Sequence, residues 1–394
     1  MHIELSDAQH QAQRGFRTFV DQYVAPFAEE HDRQQAMPQV LIQQVVDAGY
    51  LAGIIPVEYG GTGMDTVTWG LLCEEIGRGS ASLLSLFTVH GMVAQAVLKW
   101  GTDSQRQKWL PKLASGELIG AFGLTEPNVG SDAGGIETTA VAQADGSWRI
   151  DGQKRWISFG HSANLFLILA KAEGKAVAFL VERGTEGFST EPITGMLGFR
   201  SANIADVYLR GCRVPNDHLV GRVGFGFSHV AGTALDHGRY CIAWGCLGLS
   251  QAALEACLDY TSKRTQFGAL LKTHQLIQEM VADMFTQIRA GRMLCYRAAY
   301  LKAQGDPNLI METSMAKYFT SRLSVKVALD AVQIHGANGC SDAYPVQRYL
   351  RDAKVMEIIE GSNQMQQIII SKYGYQDHMS QRRAAREAAA GGVQ

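Results

Sequence analysis

The sequence has almost no excess of charge of either sign. Its 36 Lys and Arg residues nearly balance 38 Asp and Glu residues, which leaves a formal net charge of -2. Nucleic acids and anionic membranes attract proteins through strongly basic surfaces, and this composition does not supply one. We therefore expect neither nucleic acid nor a membrane as a partner.

Paired cysteines and long apolar runs are also missing. The seven Cys residues are scattered and include no Cys-x-x-Cys pair, so we predict free thiols in a reducing compartment and no metal site. No uncharged apolar run reaches the roughly 18 residues of a membrane span, so no transmembrane helix is expected. The N-terminus lacks the basic and apolar regions of a signal peptide. These absences favour the cytoplasm.

What is present is the composition of an ordinary globular protein. The 394 residues are 46% hydrophobic and 19% charged, which indicates a large core in two or three domains. The spacing of apolar residues predicts a helical domain, then a β domain, then a helical bundle. The predicted ranges are 1–119, 120–222 and 223–378, followed by a flexible tail over 379–394. Long helices of the bundle are expected at 242–261, 273–302, 311–334 and 349–375.

The segment Arg351–Gln366 is the most informative part of the chain. It places Glu360 next to Gly361 in an otherwise apolar run. A carboxylate among isoleucines is expensive to ionise, so we expect its pKa to rise toward the range that suits a general base. Gly361 permits close approach of backbone or ligand. Alone, the pattern also fits a Glu at a helix end that bonds to neighbouring backbone.

Two motifs of the β domain suit a flat polar cofactor. The segment Leu124–Asp132 offers backbone N–H groups and the hydroxyls of Thr125 and Ser131 on one turn-rich loop. A plain Pro and Gly turn is the alternative. In the segment Arg155–Ser158, the Trp could cover one face of a cofactor while the Ser hydroxyl reaches its edge. A Trp packed in the core of the sheet is the alternative.

Two further motifs lie in the helical half of the chain. Arg264, which opens Arg-Thr-Gln-Phe-Gly, could hold a pyrophosphate, although an exposed helix Arg fits equally well. The segment Gln333–Gly339 has two glycines near a helix end, where they permit close approach of a ligand. An ordinary helix cap is the alternative there.

In their order and spacing, these motifs resemble those of the acyl-CoA dehydrogenases, flavoproteins that desaturate acyl thioesters between the α and β carbons. The resemblance covers about residues 4–375. It implies an N-terminal helical domain, a middle β-barrel-like domain and a C-terminal four-helix bundle. It also implies FAD as cofactor, an acyl thioester as substrate, an electron acceptor such as an electron-transfer flavoprotein, and a homotetramer or dimer.

The resemblance assigns roles to single residues. Glu360 would be the base that takes the α-proton while a hydride leaves the β-carbon for the flavin; an alternative base position of the family falls on Gly238, which offers none. Ser131, Arg239 and Ile359 would meet the substrate. The residues implied to bind FAD are Phe122, Leu124, Thr125, Ser131, Trp156, Ser158, Arg264, Phe267, Gln275, Gln333, Gly336, Gly339, Ser362 and Gln364.

The segment Ser82–Val93 departs from fatty-acyl members of the family. It places Thr88 and His90 near the expected end of the acyl group, where polar groups left unpaired beside a long alkyl chain would cost binding. A short or hydroxylated acyl group fits better, with a structural His90 as the alternative. The same run resembles dehydrogenases of polyketide and nonribosomal-peptide pathways, which act on acyl groups tethered to a carrier protein.

Other functions compete with this one. A short-chain acyl-CoA dehydrogenase of catabolism would keep the same chemistry on a CoA ester. A flavin oxidase or monooxygenase of the same superfamily would keep the fold, but the monooxygenases often lack the Glu base that is present here. A DNA-associated relative would need a basic surface, and a redox-silent scaffold would not need an intact set of flavin motifs.

Overall fold

The computed structural model describes the backbone of residues 4–391 and the side chains of residues 4–383. The protein is 59% helical, with its helices placed before and after one central curled sheet. This order confirms the fold class that the sequence predicts.

Six α-helices precede the sheet in the described part of the chain. They are α1 (Asp7–Phe19), α2 (Ala28–Gln34), α3 (Gln39–Asp47), α4 (Thr66–Gly79), α5 (Ala81–Trp100) and α6 (Asp103–Ala114). Ser6 begins α1 with a capping box: its hydroxyl accepts from the Gln9 N–H at 3.3 Å, and the Gln9 side chain accepts from the Ser6 N–H at 3.0 Å. Two backbone donors at the helix start are thereby satisfied.

The middle of the chain forms a seven-stranded sheet. Its strands are β1 (Gly120–Gly123), β2 (Thr139–Ala142), β3 (Trp148–Ile157), β4 (Leu165–Ala172), β5 (Lys175–Glu182), β6 (Phe188–Pro192) and β7 (Ala205–Val214). The strand order is β1-β4-β2-β3-β7-β6, with β5 paired to β4. Strand β1 lies at the end of this order and runs parallel to β4, with Gly120 opposite Leu165. From the end of β1 the chain passes directly into the Leu124–Asp132 loop.

Among the residues that the structure describes, five α-helices follow the sheet. They are α7 (Gly232–Thr261), α8 (Gln275–Gln304), α9 (Leu309–His335), α10 (Val346–Met356) and α11 (Asn363–Gly391). A small hairpin of β8 (Thr265–Gln266) and β9 (Ala269–Leu270) lies between α7 and α8.

One prediction about the last helix is wrong. The helix expected over 349–375 is two helices, because Glu360 and Gly361 between them have φ angles of 56° and 85°, which a right-handed helix cannot contain. The part of the predicted tail from 379 to 391 continues α11, and residues 392–394 lie outside the described residues. The flexibility of this tail stays a prediction.

Helices α4 and α7 touch through glycines. A Cβ atom on Gly77 would lie 2.6 Å from the Cα of Gly245, and one on Gly248 would lie 1.8 Å from the Glu74 carbonyl oxygen. Only glycine permits this backbone approach. The contact fixes α7, which carries Gly238 and Arg239, against the N-terminal helices.

Arg351 and Asp352 join three parts of the chain. The Arg351 guanidinium donates to Asp32 at 2.7 Å and to the Leu197 carbonyl at 2.9 Å. The Asp352 carboxylate accepts from the Phe199 N–H at 2.8 Å. The N-terminal helices, the loop before β7 and helix α10 are therefore held together eight and nine residues before Glu360.

Two segments of the described chain are long and apolar enough to cross a membrane, which corrects the expectation that none would be. They are Ala81–Trp100 and Gly226–Thr261, and their apolar windows are 89% and 78% buried inside the protein. Burial explains their composition, because a helix that is apolar on all sides is typical of the core of a large protein.

Candidate active site

The six residues 357–362 between α10 and α11, here called the base loop, carry Glu360. Its φ of 56° lies in the left-handed region, and Gly361 follows at 85°. A left-handed conformation costs a residue with a side chain about 1 to 2 kcal/mol, and such strain persists only where the surroundings impose it. The pair of left-handed residues turns the chain sharply and directs the Glu360 side chain toward α7.

The Glu360 carboxylate lies against Gly238 of α7 and Met92 of α5. A Cβ atom on Gly238 would fall 2.3 Å from Glu360 Oε2 and 2.6 Å from Met92 Cε. The position that the sequence identified as an alternative site for a base therefore faces the carboxylate of Glu360, and its glycine makes the room. Glu360 Oε2 is buried and has no hydrogen-bond partner among the described residues.

The surroundings of Glu360 favour its neutral form. Burial raises its pKa to about 7, although the charges of Arg239 and Lys317 act in the opposite direction. The residue as a whole is half-buried, so the carboxylate is largely desolvated while the residue borders open space. A carboxylate of this kind accepts a proton readily near neutral pH.

The backbone of the base loop is fixed from three helices. Arg239 of α7 donates to the Glu360 carbonyl at 3.4 Å, and Gln366 of α11 donates to the same oxygen at 3.2 Å and to the Gly361 carbonyl at 2.8 Å. Lys317 of α9 donates to the Gly361 carbonyl at 3.0 Å. Sequence reasoning missed Lys317 and Gln366; the one available signal was a lone Lys within the buried face of a helix.

The Leu124–Asp132 loop rests on a buried ion pair. Lys154 of β3 donates to the Leu124 carbonyl at 3.3 Å and to Glu126 at 2.6 Å, and its side chain is fully buried. Burial opposes the charge on Glu126, but Lys154 together with hydrogen bonds from Thr138 and the Glu137 N–H holds the pKa of Glu126 below its ordinary value. The Glu of Leu-Thr-Glu-Pro is thus a support, and it presents half-buried Thr125 and exposed Ser131 on the loop surface.

Trp156 is not a core residue of the sheet. It has a φ of 62° and is 46% exposed, so the alternative of a Trp packed in the core is wrong. Arg155 lies over the indole, with its guanidinium carbon 4.6 Å from the ring centroid, and Ser158 is half-buried nearby in the chain. An exposed indole, a hydroxyl and the Thr125 loop form a surface that fits a flat ring system such as a flavin.

The residues predicted to bind the FAD diphosphate and ADP lie on outer surfaces of the protomer. Phe267, at the turn of the β8–β9 hairpin, is 98% exposed with a φ of 51°. Arg264, Gln275, Gln333 and Gly336 are also exposed. Phe122, Leu124 and Gly339 are instead buried, and Ser362 and Gln364 border the start of α11.

Gly339 and Ser362 have structural tasks of their own. A Cβ on Gly339 would lie 2.6 Å from the Val332 carbonyl, so glycine allows the tight turn after α9. The Ser362 hydroxyl accepts from the Met365 N–H at 3.4 Å at the start of α11. Neither contact requires a ligand.

Thr88 and His90 are bonded within the protein. The Thr88 hydroxyl donates to the Leu84 carbonyl at 3.0 Å, and His90 Nδ1 accepts from the Gly120 N–H at 3.2 Å. Burial lowers the pKa of His90 to about 4, so the ring is neutral. His90 therefore links α5 to β1 through Nδ1, while its buried Nε2 has no hydrogen-bond partner among the described residues. The contact of Thr88 and His90 with the acyl group stays a prediction.

A cleft of about 640 Å³ lies beside α7. Its walls include Trp69, Lys99, Asp236, Arg239 and Lys302. The cleft therefore shares Arg239 with the base loop. Ile359, the remaining residue predicted to meet substrate, is half-buried and packs against the main core. Among the described residues, no group of three or more His, Cys, Asp or Glu side chains could hold a metal ion.

Comparison with known proteins identifies the class to which this arrangement belongs. Sequence profiles for the N-terminal, middle and C-terminal domains of acyl-CoA dehydrogenases match residues 6–117, 121–212 and 224–374. The chain belongs to the acyl-CoA dehydrogenase family, whose members are FAD-dependent oxidoreductases.

Named relatives match along nearly the whole chain. A Bacillus subtilis protein named acyl-CoA dehydrogenase is 40% identical over 379 residues, which cover 95% of this chain and 99% of that protein. The human mitochondrial short-chain specific acyl-CoA dehydrogenase is 35% identical over 94% of this chain and 90% of its own length.

Solved structures share the fold over similar lengths. Butyryl-CoA dehydrogenase from Megasphaera elsdenii is 32% identical, with a TM-score of 0.92 over 95% of this chain and 99% of that one. A chain in a structure described as the electron transferring flavoprotein of Acidaminococcus fermentans is 35% identical, with a TM-score of 0.92 and the same coverage. The prolyl acyl carrier protein oxidase AnaB is 25% identical, with a TM-score of 0.90 over 94% and 99%.

Proposed function

We propose that the protein is an FAD-dependent dehydrogenase that desaturates a short acyl thioester of CoA, with Glu360 as the base. The observation that carries the proposal is the buried Oε2 of Glu360, which has no partner among the described residues and belongs to a carboxyl with a pKa of about 7. A structural carboxylate in that place would be paired, because burial of an unpaired charge is costly.

In the proposed reaction, Glu360 takes the proton from the α-carbon of the thioester. The absence of a side chain at Gly238 leaves room for the carboxylate, and the left-handed loop turns it toward α7. Desolvation makes the carboxylate a stronger base than it would be in water. FAD, when bound, supplies the acceptor for the hydride that leaves the β-carbon. Trp156, Thr125 and Ser158 would hold its ring system, and Arg264 with Phe267 its diphosphate.

A short acyl chain is supported by the relatives of this chain. It is similar to the human short-chain specific acyl-CoA dehydrogenase and to butyryl-CoA dehydrogenase from Megasphaera elsdenii, both of which are named for short acyl groups.

A carrier-protein thioester is the second candidate substrate. The specific support for it is the likeness to the prolyl acyl carrier protein oxidase AnaB, together with the Thr-Val-His-Gly-Met-Val run. CoA is preferred because relatives named as acyl-CoA dehydrogenases are more similar to this chain, at up to 40% identity. Reaction of a carrier-bound acyl group would also place the protein in polyketide or nonribosomal-peptide biosynthesis.

Partners follow from the same proposal. An electron-transfer flavoprotein would reoxidise the flavin, which the likeness to a chain in such a structure supports. A homo-oligomer, as tetramer or dimer, would cover the exposed diphosphate residues on the β8–β9 hairpin. The seven free cysteines suit a reducing compartment such as the cytoplasm.

The test is anaerobic bleaching of the oxidised flavin absorbance in the purified holoprotein. Butyryl-CoA, octanoyl-CoA and a butyryl group on a phosphopantetheinyl carrier protein are offered separately. Fast bleaching by butyryl-CoA, with slower bleaching by the other two, is expected. Faster bleaching by the carrier-bound ester would establish the second candidate. No bleaching by any thioester, with FAD bound, would refute both and favour a flavin oxidase or monooxygenase.

A further inference from the structure

One buried cation, Lys317 of α9, donates three hydrogen bonds to the residues around the base. We propose that Lys317 is a positioning residue for proton removal: its ammonium holds the base loop in the shape that aims Glu360 at the substrate, without touching the reacting atoms. This inference rests on the proposed role of Glu360 as the base. It assigns a task to a buried charge that the reaction itself does not use.

The ammonium of Lys317 bridges the two ends of the base loop. It donates to the Glu357 carbonyl at 3.3 Å, to the Gly361 carbonyl at 3.0 Å and to Asn363 Oδ1 at 3.2 Å. An ammonium has three N–H donors, and each has an acceptor here. Two of the acceptors, on Glu357 and Gly361, belong to the base loop on either side of Glu360, and the third, on Asn363, is at the start of α11.

Asn363 makes the bridge rigid. Its Oδ1 also accepts from the Ser321 hydroxyl at 2.8 Å, and its amide donates to the Glu357 carboxylate at 3.2 Å. Lys317 and Ser321 lie one helical turn apart on α9 and therefore present both donors on one face. Helix α9 thus supports the base loop through Lys317 and Ser321, and we call this pair of residues the platform.

A charge at this place has a physical reason. Glu357 is the C-cap of α10, where carbonyl groups lack partners within the helix and the helix dipole favours a cation. Gln366 donates to the Glu360 and Gly361 carbonyls but carries no charge. Lys354 also lies in the last turn of α10, but among the described residues it is Lys317 that spans the loop as well, with no exposed side-chain surface.

The same ammonium influences the proton affinity of the base. Three titratable or charged groups act on Glu360: Arg239 and Cys241 from α7, and Lys317 from α9. Lys317 lowers the pKa of Glu360, and Arg239 does so more strongly. Burial lowers the pKa of Lys317 itself to about 8, so the ammonium is mostly charged at neutral pH. Its removal should let Glu360 keep its proton to higher pH.

The experiment compares Lys317→Gln, which keeps an amide donor but no charge, with wild type and with Lys326→Met. Lys326 lies on the same helix, where it is exposed and pairs with Asp283 and Asp330. Each purified holoprotein is mixed anaerobically with saturating butyryl-CoA between about pH 6 and pH 9, and flavin bleaching is followed. FAD content and the dissociation constant for crotonyl-CoA are measured beside it.

For Lys317→Gln we expect normal FAD content and product affinity within about threefold. We also expect a limiting rate lower by about 10- to 100-fold at pH 7 and a pH midpoint higher by about one unit. Lys326→Met should match wild type. A wild-type rate and midpoint in Lys317→Gln would overturn the proposal. So would an equal loss of FAD, affinity and rate with an unchanged midpoint, because that pattern describes a structural residue alone.

A second variant serves if Lys317→Gln does not fold. Ser321→Ala removes one donor to Asn363 and leaves Lys317 in place, so it should lower the limiting rate by about threefold to tenfold without moving the midpoint. An unchanged rate would count against the platform. Failure of the proposed function gives a different result, because wild type would then show no flavin bleaching. If the proposed function holds, wild type bleaches and Glu360→Gln does not, whatever the result for Lys317→Gln.

Discussion

The base loop and the β8–β9 hairpin are built in opposite ways. The base loop is bonded by Arg239, Lys317 and Gln366 from three different helices, and the reactive oxygen of Glu360 is buried. The hairpin carries Phe267 with 98% of its surface exposed, and both of its strands have only two residues. The base loop is held in one conformation by contacts within the protomer, whereas the hairpin is scarcely packed.

The difference separates two tasks. Proton removal needs a carboxylate held in one geometry in a dry place, and Arg239, Lys317 and Gln366 of the same protomer hold the loop that carries it. Residues predicted to hold the FAD diphosphate lie where a second protomer could approach. We therefore expect mutations in the base loop to change chemistry and leave cofactor binding intact, and mutations in the hairpin to do the reverse.

The largest expected effect is on Glu360. Glu360→Gln should retain FAD but lower the rate of flavin bleaching by butyryl-CoA by about 10²- to 10⁴-fold, because an amide cannot accept the proton. Glu186→Gln, an exposed residue before β6, is the matched control and should bleach at the wild-type rate. Appreciable bleaching by Glu360→Gln would mean that another group is the base.

A hairpin variant should show the reverse pattern. Arg264→Ala should weaken FAD binding by about 10- to 100-fold through loss of charge-assisted hydrogen bonds, which dilution and ultrafiltration of the holoprotein would measure. Molecules that keep FAD should bleach with the wild-type pH midpoint. Arg289→Ala, on α8 outside the hairpin, should keep its FAD. Tight FAD binding by Arg264→Ala would remove the hairpin from the cofactor site.

Gly238 provides a finer test of the base geometry. Gly238→Ala places a methyl group where Glu360 Oε2 and Met92 Cε now lie, so the carboxylate must shift. We expect the limiting rate of flavin bleaching to fall about tenfold or more while FAD content stays constant. Gly374→Ala, where a Cβ meets nothing within 4 Å, is the control. An unaltered rate in Gly238→Ala would show that the carboxylate tolerates displacement.

The smallest effect concerns pH and stability. Bleaching should rise with pH through about 7 as Glu360 loses its proton. Because the folded-state pKa lies above the ordinary value, the folded protein binds more protons than the unfolded chain between about pH 4.5 and 7, and stability falls as pH rises through that range. The cost at pH 8 is on the order of 1 to 3 kcal/mol.

Glu360→Gln removes this cost. Its thermal midpoint should therefore exceed that of wild type by on the order of 2 °C at pH 8, with no gain at pH 5, where wild-type Glu360 is protonated. Differential scanning calorimetry of the two holoproteins at both pH values measures the difference. An equal shift at both pH values would mean that the gain does not come from ionisation.

Much of the site was predictable because its signals are local. A few consecutive residues are enough to recognise Glu360 with Gly361, the Leu-Thr-Glu-Pro loop, and the helical or strand spacing of each segment. The position of Gly238 opposite the base followed from the resemblance, and the contact with Glu360 Oε2 agrees with it. The predicted FAD residues on the hairpin and in the ADP segment remain predictions.

Composition and short-range spacing were enough to predict the order of helices, sheet and helices, the family and the residue most suited to act as base. The contacts between segments that are distant in the chain became visible only in the folded protein. Contacts between α9 and the base loop give Lys317 its place beside the base, the Gly120 N–H bonds to His90 Nδ1, and Trp156 is exposed rather than packed in the core. Those outcomes depend on which groups meet in space, and the free energy of a buried charge or hydrogen bond is set by those neighbours.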